Sequence, residues 1–221
     1  MCFTLRLHTS AAPPRGGLTQ ALAVMKAHDI DHVTATGPRI DDPDILSATP
    51  EDLSSLLRDA NGFILYHGGL HVRGAVISPA WHSLRHAIEG PEAFHRLYDA
   101  VLPTDIPFAQ DCFGDQFLLR DGAVFRLEAE TGEIEETSAN LGSFFASVSN
   151  DAFEFLSFDA DLRLEPGQLM HAYPPFCVER PESGYSLKAV PALELIQFHA
   201  DFAKQISNVP DSGQVQVKIV D

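Results

Sequence analysis

The chain has 221 residues, 45% of them hydrophobic and 21% charged, which is enough apolar material for a packed core and excludes a disordered or low-complexity protein. Acidic residues outnumber basic ones 31 to 15, for a formal net charge of −16, and no cluster of Lys and Arg is present. Direct binding to nucleic acid is therefore not expected, because its affinity comes from neutralising phosphates with clustered cations.

No uncharged apolar run approaches the ~18 residues of a membrane helix, and Met1-Cys2-Phe3-Thr4-Leu5 lacks the long apolar core of a secretory signal. Cys2, Cys112 and Cys177 are odd in number and show no C-x-x-C spacing, so neither a disulfide framework nor a thiolate zinc site is suggested. A cytoplasmic protein without a cofactor is expected.

In chain order, Ala11 to Gly17 reads as a loop or arm, and Leu18, Leu22 and Met25 give residues 18–28 a helical spacing. Pro38 and Pro43 interrupt the pattern. A second helix follows, with Thr49 as its expected N-cap, Pro50 in its first turn, an apolar face of Leu53, Leu56 and Leu57, and a stop at Asn61-Gly62. Phe63–Tyr66 and Leu70–Arg73 read as short strands about Gly68-Gly69. From Trp81 to Leu102 the pattern is helical again, broken near Gly90-Pro91.

Ile106–Gln110 then enters the turn Asp111-Cys112-Phe113-Gly114, and three strands joined by tight turns make a meander: Asp115–Arg120, Ala123–Glu128 after the Asp121-Gly122 hairpin turn, and Ile134–Thr137 after Thr131-Gly132. Residues 141–155 read as a helix, 160–188 as an irregular Pro-rich stretch, 192–206 as a helix and 214–220 as an edge strand. Helices, a meander and more helices make the fold class α+β, a twisted antiparallel sheet packed with helices.

Few constellations point to catalysis. His82 and His86 lie four apart on the expected helix, where a metal can bridge two imidazoles, with His95 as a third candidate; the zinc-protease pattern wants a glutamate where Ser83 stands. His67 and His71 flank the glycine turn. Asp159-Ala160-Asp161 opens like a cation loop, but Leu162-Arg163 interrupts it. Cys112 lies between Asp111 and Asp115, whose charges disfavour a thiolate, so it reads as a buried thiol. Trp81 reads as a core residue, with an exposed anchor as the alternative. The turn 128–136 carries five glutamates, which repel one another on a sheet edge unless a cation offsets them; a solvated edge that resists aggregation is the other reading.

The helix Leu53–Asp59 closing on Asn61-Gly62-Phe63, the run Ile106–Phe117 with its Asp111-x-x-Gly114 turn, the Gly122-Ala123-Val124 hairpin and the helix Leu141–Val148 together resemble the SUKH superfamily, the Smi/Knr-type domains. The resemblance covers residues 45–157, with 1–44 as an N-terminal arm and helix and 158–221 as a C-terminal extension bearing one helix. It implies structural roles for Asn61, Gly62, Asp111 and Gly114. For function it implies bacterial immunity proteins that bind and neutralise toxins, often nucleases, or fungal regulatory scaffolds.

The expectation is thus a non-catalytic immunity-type protein, monomeric or weakly dimeric, that meets a basic partner. Asp111, Asp115, Glu128, Glu130, Glu133 and Glu135 are its expected contacts. An intracellular scaffold of the same fold and a metal-dependent hydrolase using His82 and His86 are the alternatives.

Overall fold

A computed structural model describes residues 32–178, 182 and 184–207; the expected helix 18–28, the edge strand 214–220 and Cys2 lie outside them. Seven strands among the described residues form one antiparallel sheet in sequential order: β1 (Val33–Thr36), β2 (Phe63–Leu65), β3 (Leu70–Val72), β4 (Ile106–Asp111), β5 (Gln116–Arg120), β6 (Ala123–Leu127) and β7 (Ile134–Ser138). The helices of the same region are α1 (Pro43–Ala48), α2 (Glu51–Asp59), α3 (Leu84–Ile88), α4 (Phe94–Leu97), α5 (Leu141–Asn150), α6 (Ala152–Leu156) and α7 (Ala192–Ile206). A separate hairpin pairs β8 (Gln168–Tyr173) with β9 (Ser186–Pro191). The fold is α+β.

Local chemistry sets most of these boundaries. Asp121 and Gly122 both take positive φ, 50° and 88°, the geometry that closes a tight hairpin between β5 and β6. Asn140 caps α5 in a reciprocal capping box with Ser143, and Asp151 ends that helix and caps α6, so the expected single helix over 141–155 is two. Thr49 does not cap α2. Its hydroxyl donates to the Leu46 carbonyl and closes α1, and Pro50 stands before α2 with no side-chain bond. The expected helix over 81–102 is shorter pieces, with Gly90 at φ 90° between α3 and α4.

Both faces of the sheet centre are covered. On one face Phe63, Leu65, Val72, Phe108, Phe117 and Leu119 meet α2 through Leu53 and Leu57 and α5 through Phe144 and Val148. On the other, Leu118, Phe125 and Leu127 meet Phe94 and Leu97 of α4 and Leu195, Ile196 and Ala200 of α7. Each such Leu or Phe contributes about 1.5–3 kcal/mol by leaving water. Burial on both sides explains why β5 shows no clean alternation in sequence.

Two boundaries drawn from sequence move. β1 lies inside the stretch assigned to an arm, yet it pairs with β2 and joins the sheet. The Pro-rich stretch 160–188 contains β8 and the start of β9, and α7 beyond it packs on the sheet, so the extension completes the second core layer. No helix of the described residues is long and apolar enough to cross a membrane.

Candidate functional site

The acidic turn is built by β6, β7 and the loop between them. The Glu128 amide donates to the Glu133 carbonyl and the Gly132 amide to the Glu128 carbonyl, which curls the loop. Ala129 is fixed from both sides: its amide donates to Asp115 Oδ1 at 2.8 Å, and its carbonyl accepts from the Tyr98 hydroxyl at 3.0 Å. On this frame Glu128, Glu133 and Glu135 are exposed and Glu130 is half-buried.

Asp111 is placed otherwise than the sequence suggested. Its side chain is fully buried, and Oδ1 accepts from the amides of Phe113, Gly114 and Asp115 at 2.9–3.0 Å. It shapes the β4–β5 turn, where Gly114 takes φ 97°, and cannot touch a partner. Burial, and then the Asp115 charge, push its carboxyl well above the usual carboxylate range; Arg126 and the amides oppose them. Asp115 grips Arg126 through Nε at 2.8 Å and Nη2 at 2.6 Å, while Arg126 reaches Asp111 at 3.4 Å.

Between this turn and the β8–β9 hairpin runs an open cleft of about 510 Å³. Asp115, Glu128, Glu130 and Asp159 line it, with Arg126 as its cation, and Phe113, Phe176 and Leu187 supply apolar wall. Glu130 bridges the two sides by accepting from the Cys177 amide at 2.9 Å, and burial raises its pKa. The fold thus brings Asp115, Glu128 and Glu130 together and leaves Glu133 and Glu135 off the cleft lining, on the outer edge. Asp159, Phe176 and Leu187 went unnoticed in sequence as parts of a surface, because nothing local links positions so far apart.

The histidine pair is separated. His82 ends a 3-10 turn (Ala80–His82) and is buried; His86 lies in α3, with Nε2 2.9 Å from a Glu92 carboxylate oxygen. His82 Nδ1 lies 2.8 Å from His71 Nε2, and its Nε2 lies 3.3 Å from the Asn61 carbonyl. One tautomer satisfies both contacts: His82 Nε2–H donates to Asn61, and His71 Nε2–H donates to His82. Gly37, Gly62 and Gly74 make room for this ring, since a Cβ on any of them would stand within 3 Å of it. Asn61 does more than stop α2: its amide donates to the Pro38 carbonyl, and its Oδ1 accepts from the Ala75 amide.

Next to His71 lies Arg73, 3% exposed, whose guanidinium donates to the Pro107 carbonyl and to Gln110 and Gln116 Oε1 at 2.7–2.9 Å and sits 5.2 Å from the Phe94 ring centre. Burial lowers its pKa to about 9. Burial also lowers His71 well below its usual value, aided by Arg73 and His82. Trp81 covers this layer, half-buried, with its ring centre 5.1 Å from that of His71. Cys112 is buried, and burial raises its thiol pKa. Among the described residues no group of three or more His, Cys, Asp or Glu is placed to hold a metal ion.

No protein-family model matches the sequence, and no curated protein matches it. Among solved structures the chain is similar to one described as the crystal structure of Atu4351 from Agrobacterium tumefaciens, with 13% identity and a TM-score of 0.45 over 76% of this chain and 85% of that one.

Proposed function

We propose that this chain is an acidic protein-binding domain of the immunity type, acting in the cytoplasm on a basic protein partner, a toxin such as a nuclease. The observation that carries the reading is the open cleft, where the described lining residues include the carboxylates of Glu128, Glu130 and Asp159, while Arg126, the cation among them, is already held by Asp115. A protein of net charge −16 steers a basic partner toward such a surface, and apolar walls then hold it by excluding water. A nuclease is basic where it holds phosphate, so an acidic cover also blocks its substrate. The resemblance of residues 45–157 to SUKH domains supports the same reading.

The test is affinity capture from the native cell with the wild-type chain and with a Glu128→Gln, Glu130→Gln, Asp159→Asn variant. The expected result is a basic protein retained by the wild type alone, whose association slows several-fold from low to high salt. A partner whose capture and on-rate ignore both the variant and the salt overturns the reading. Toxicity of the captured partner on expression, relieved by co-expressing this chain, marks an immunity pair; a harmless partner marks a regulatory scaffold.

A further inference from the structure

The β8–β9 hairpin exposes large apolar side chains beside the carboxylates. Leu187 of β9 is 51% exposed, and Phe176, in the loop after β8, is 40% exposed. Phe176 is held from two sides, edge-on to Phe113 and to Tyr185, each with ring centres 4.9 Å apart. Leu187 lies opposite Ala172 in the hairpin register, and Ala172 is 3% exposed, so the inner strand is packed while the outer strand presents its side chain. An aromatic ring fixed in place yet open to solvent loses little conformational freedom when a partner covers it, which is the property of an interface anchor.

The acidic turn brings to the same cleft Glu128 and Glu130, the latter accepting from the Cys177 amide of the hairpin, with the Asp115–Arg126 pair and Asp159 also in the lining. A cleft lined by both apolar and anionic side chains selects its occupant. In an extended segment successive side chains point to opposite sides, so alternation of cationic and apolar residues can meet both kinds of lining within a few residues. A second copy of this chain does not fit, because its net charge of −16 repels the anionic wall.

Resting on the reading of this chain as a binder of basic proteins, we propose that the cleft is a docking slot for an extended protein segment of alternating cationic and apolar residues, with Phe176 and Leu187 as its anchors. The hairpin, outside the stretch that resembles SUKH domains, then supplies the apolar half of the interface and the acidic turn supplies the charge.

Two synthetic octapeptides, alternating arginine–leucine and alternating arginine–serine, test this on the full chain by titration calorimetry at low salt. The arginine–leucine peptide is expected to bind about tenfold tighter. Leu187→Ser, and separately Phe176→Ser, should remove that advantage and leave the arginine–serine affinity unchanged. Leu187→Ser is the safer variant, since it breaks no ring contact of the hairpin. Glu128→Gln with Glu130→Gln should weaken both peptides, whereas Asp52→Asn on α2 should weaken neither.

Equal affinities for the two peptides, or an advantage that survives both hairpin variants, overturns the slot while leaving the acidic-face reading intact. Binding that ignores the two glutamates, or no binding of either peptide, overturns both. Self-association of the wild type that Leu187→Ser abolishes assigns the cleft to a second copy and overturns the proposal.

Discussion

Arg73 and Arg126 are both withdrawn from solvent, and their surroundings differ in kind. Arg73 is satisfied by neutral oxygens of Pro107, Gln110 and Gln116, with His71 and His82 nearby, and among the described residues no carboxylate bonds it. Arg126 is satisfied by the carboxylates of Asp115 and Asp111, and further carboxylates stand beyond them in the cleft. The first region is a closed polar layer covered by Trp81, in which burial disfavours the protonated forms of His71 and His82. The second carries unspent negative charge at an open edge. One region holds the fold together; the other is left with something to bind.

The largest effect is expected at Arg73. Arg73→Met takes the donor from Gln116 Oε1 and the Pro107 carbonyl and leaves Gln110 Oε1 only its 3.4 Å bond from Gln116 Nε2; an unmet buried acceptor costs about 1–3 kcal/mol, so a loss of about 4 kcal/mol is expected in the urea unfolding free energy. Arg73→Lys should not restore it, because an ammonium does not reproduce the planar fork. A lysine variant of wild-type stability would remove the architectural role assigned to this guanidinium.

Acid probes the buried histidines. Burial, and then His171, depress His199 to about 4 from its ordinary 6.5, and His71 and His82 are lowered as well. A histidine whose folded pKa is depressed gives its full stability above the unfolded pKa and loses it as pH falls toward the folded one. For His199 this amounts to about 3 kcal/mol, lost between about pH 6.5 and about pH 4. The raised pKa of Asp111 works in the opposite sense, since protonation relieves its burial. The discriminating measurement is the urea midpoint against pH in the wild type and in His199→Leu, whose profile should be flatter. Parallel profiles would refute the contribution.

Gly62→Ala puts a methyl group at φ 75° and 2.4 Å from His82 Cε1, for an expected cost of about 2 kcal/mol. Part of that cost should disappear in a His82→Ala background, because the two positions are in contact and their effects do not add. Strict additivity, read from the double-mutant cycle, would show that the ring is not what Gly62 accommodates. The smallest effect on stability belongs to the cleft: Glu128→Gln should stay within about 0.5 kcal/mol of the wild type by denaturation. The same variant should slow association with a basic partner several-fold at low salt. Effects of equal size on stability in the two regions would erase the contrast between them.

Much of the sheet was legible because its signals are local. The Asp121-Gly122 turn, the strands on either side and the Leu70 strand beyond Gly68-Gly69 stand where residue type and spacing place them. The helix 192–206 is also where its apolar spacing puts it. Asp111 was misplaced as a contact because its charge is visible in sequence, while the three amides that enclose it come from turn geometry. The hairpin β8–β9 was missed because prolines at 166, 174 and 175 punctuate it, and they fall outside its paired interior or at its ends.

By itself the sequence determined the class of fold, the turns, the order of the meander strands and the net charge, since each follows from short-range sterics, periodicity or composition. Only the tertiary structure decided which charges remain available. It buried Asp111, paired Arg126, enclosed His82 among three glycines and brought Phe176 and Leu187 into one cleft with Glu128 and Glu130. Burial and apposition depend on how segments about fifty residues apart pack together, and no spacing along the chain encodes that distance.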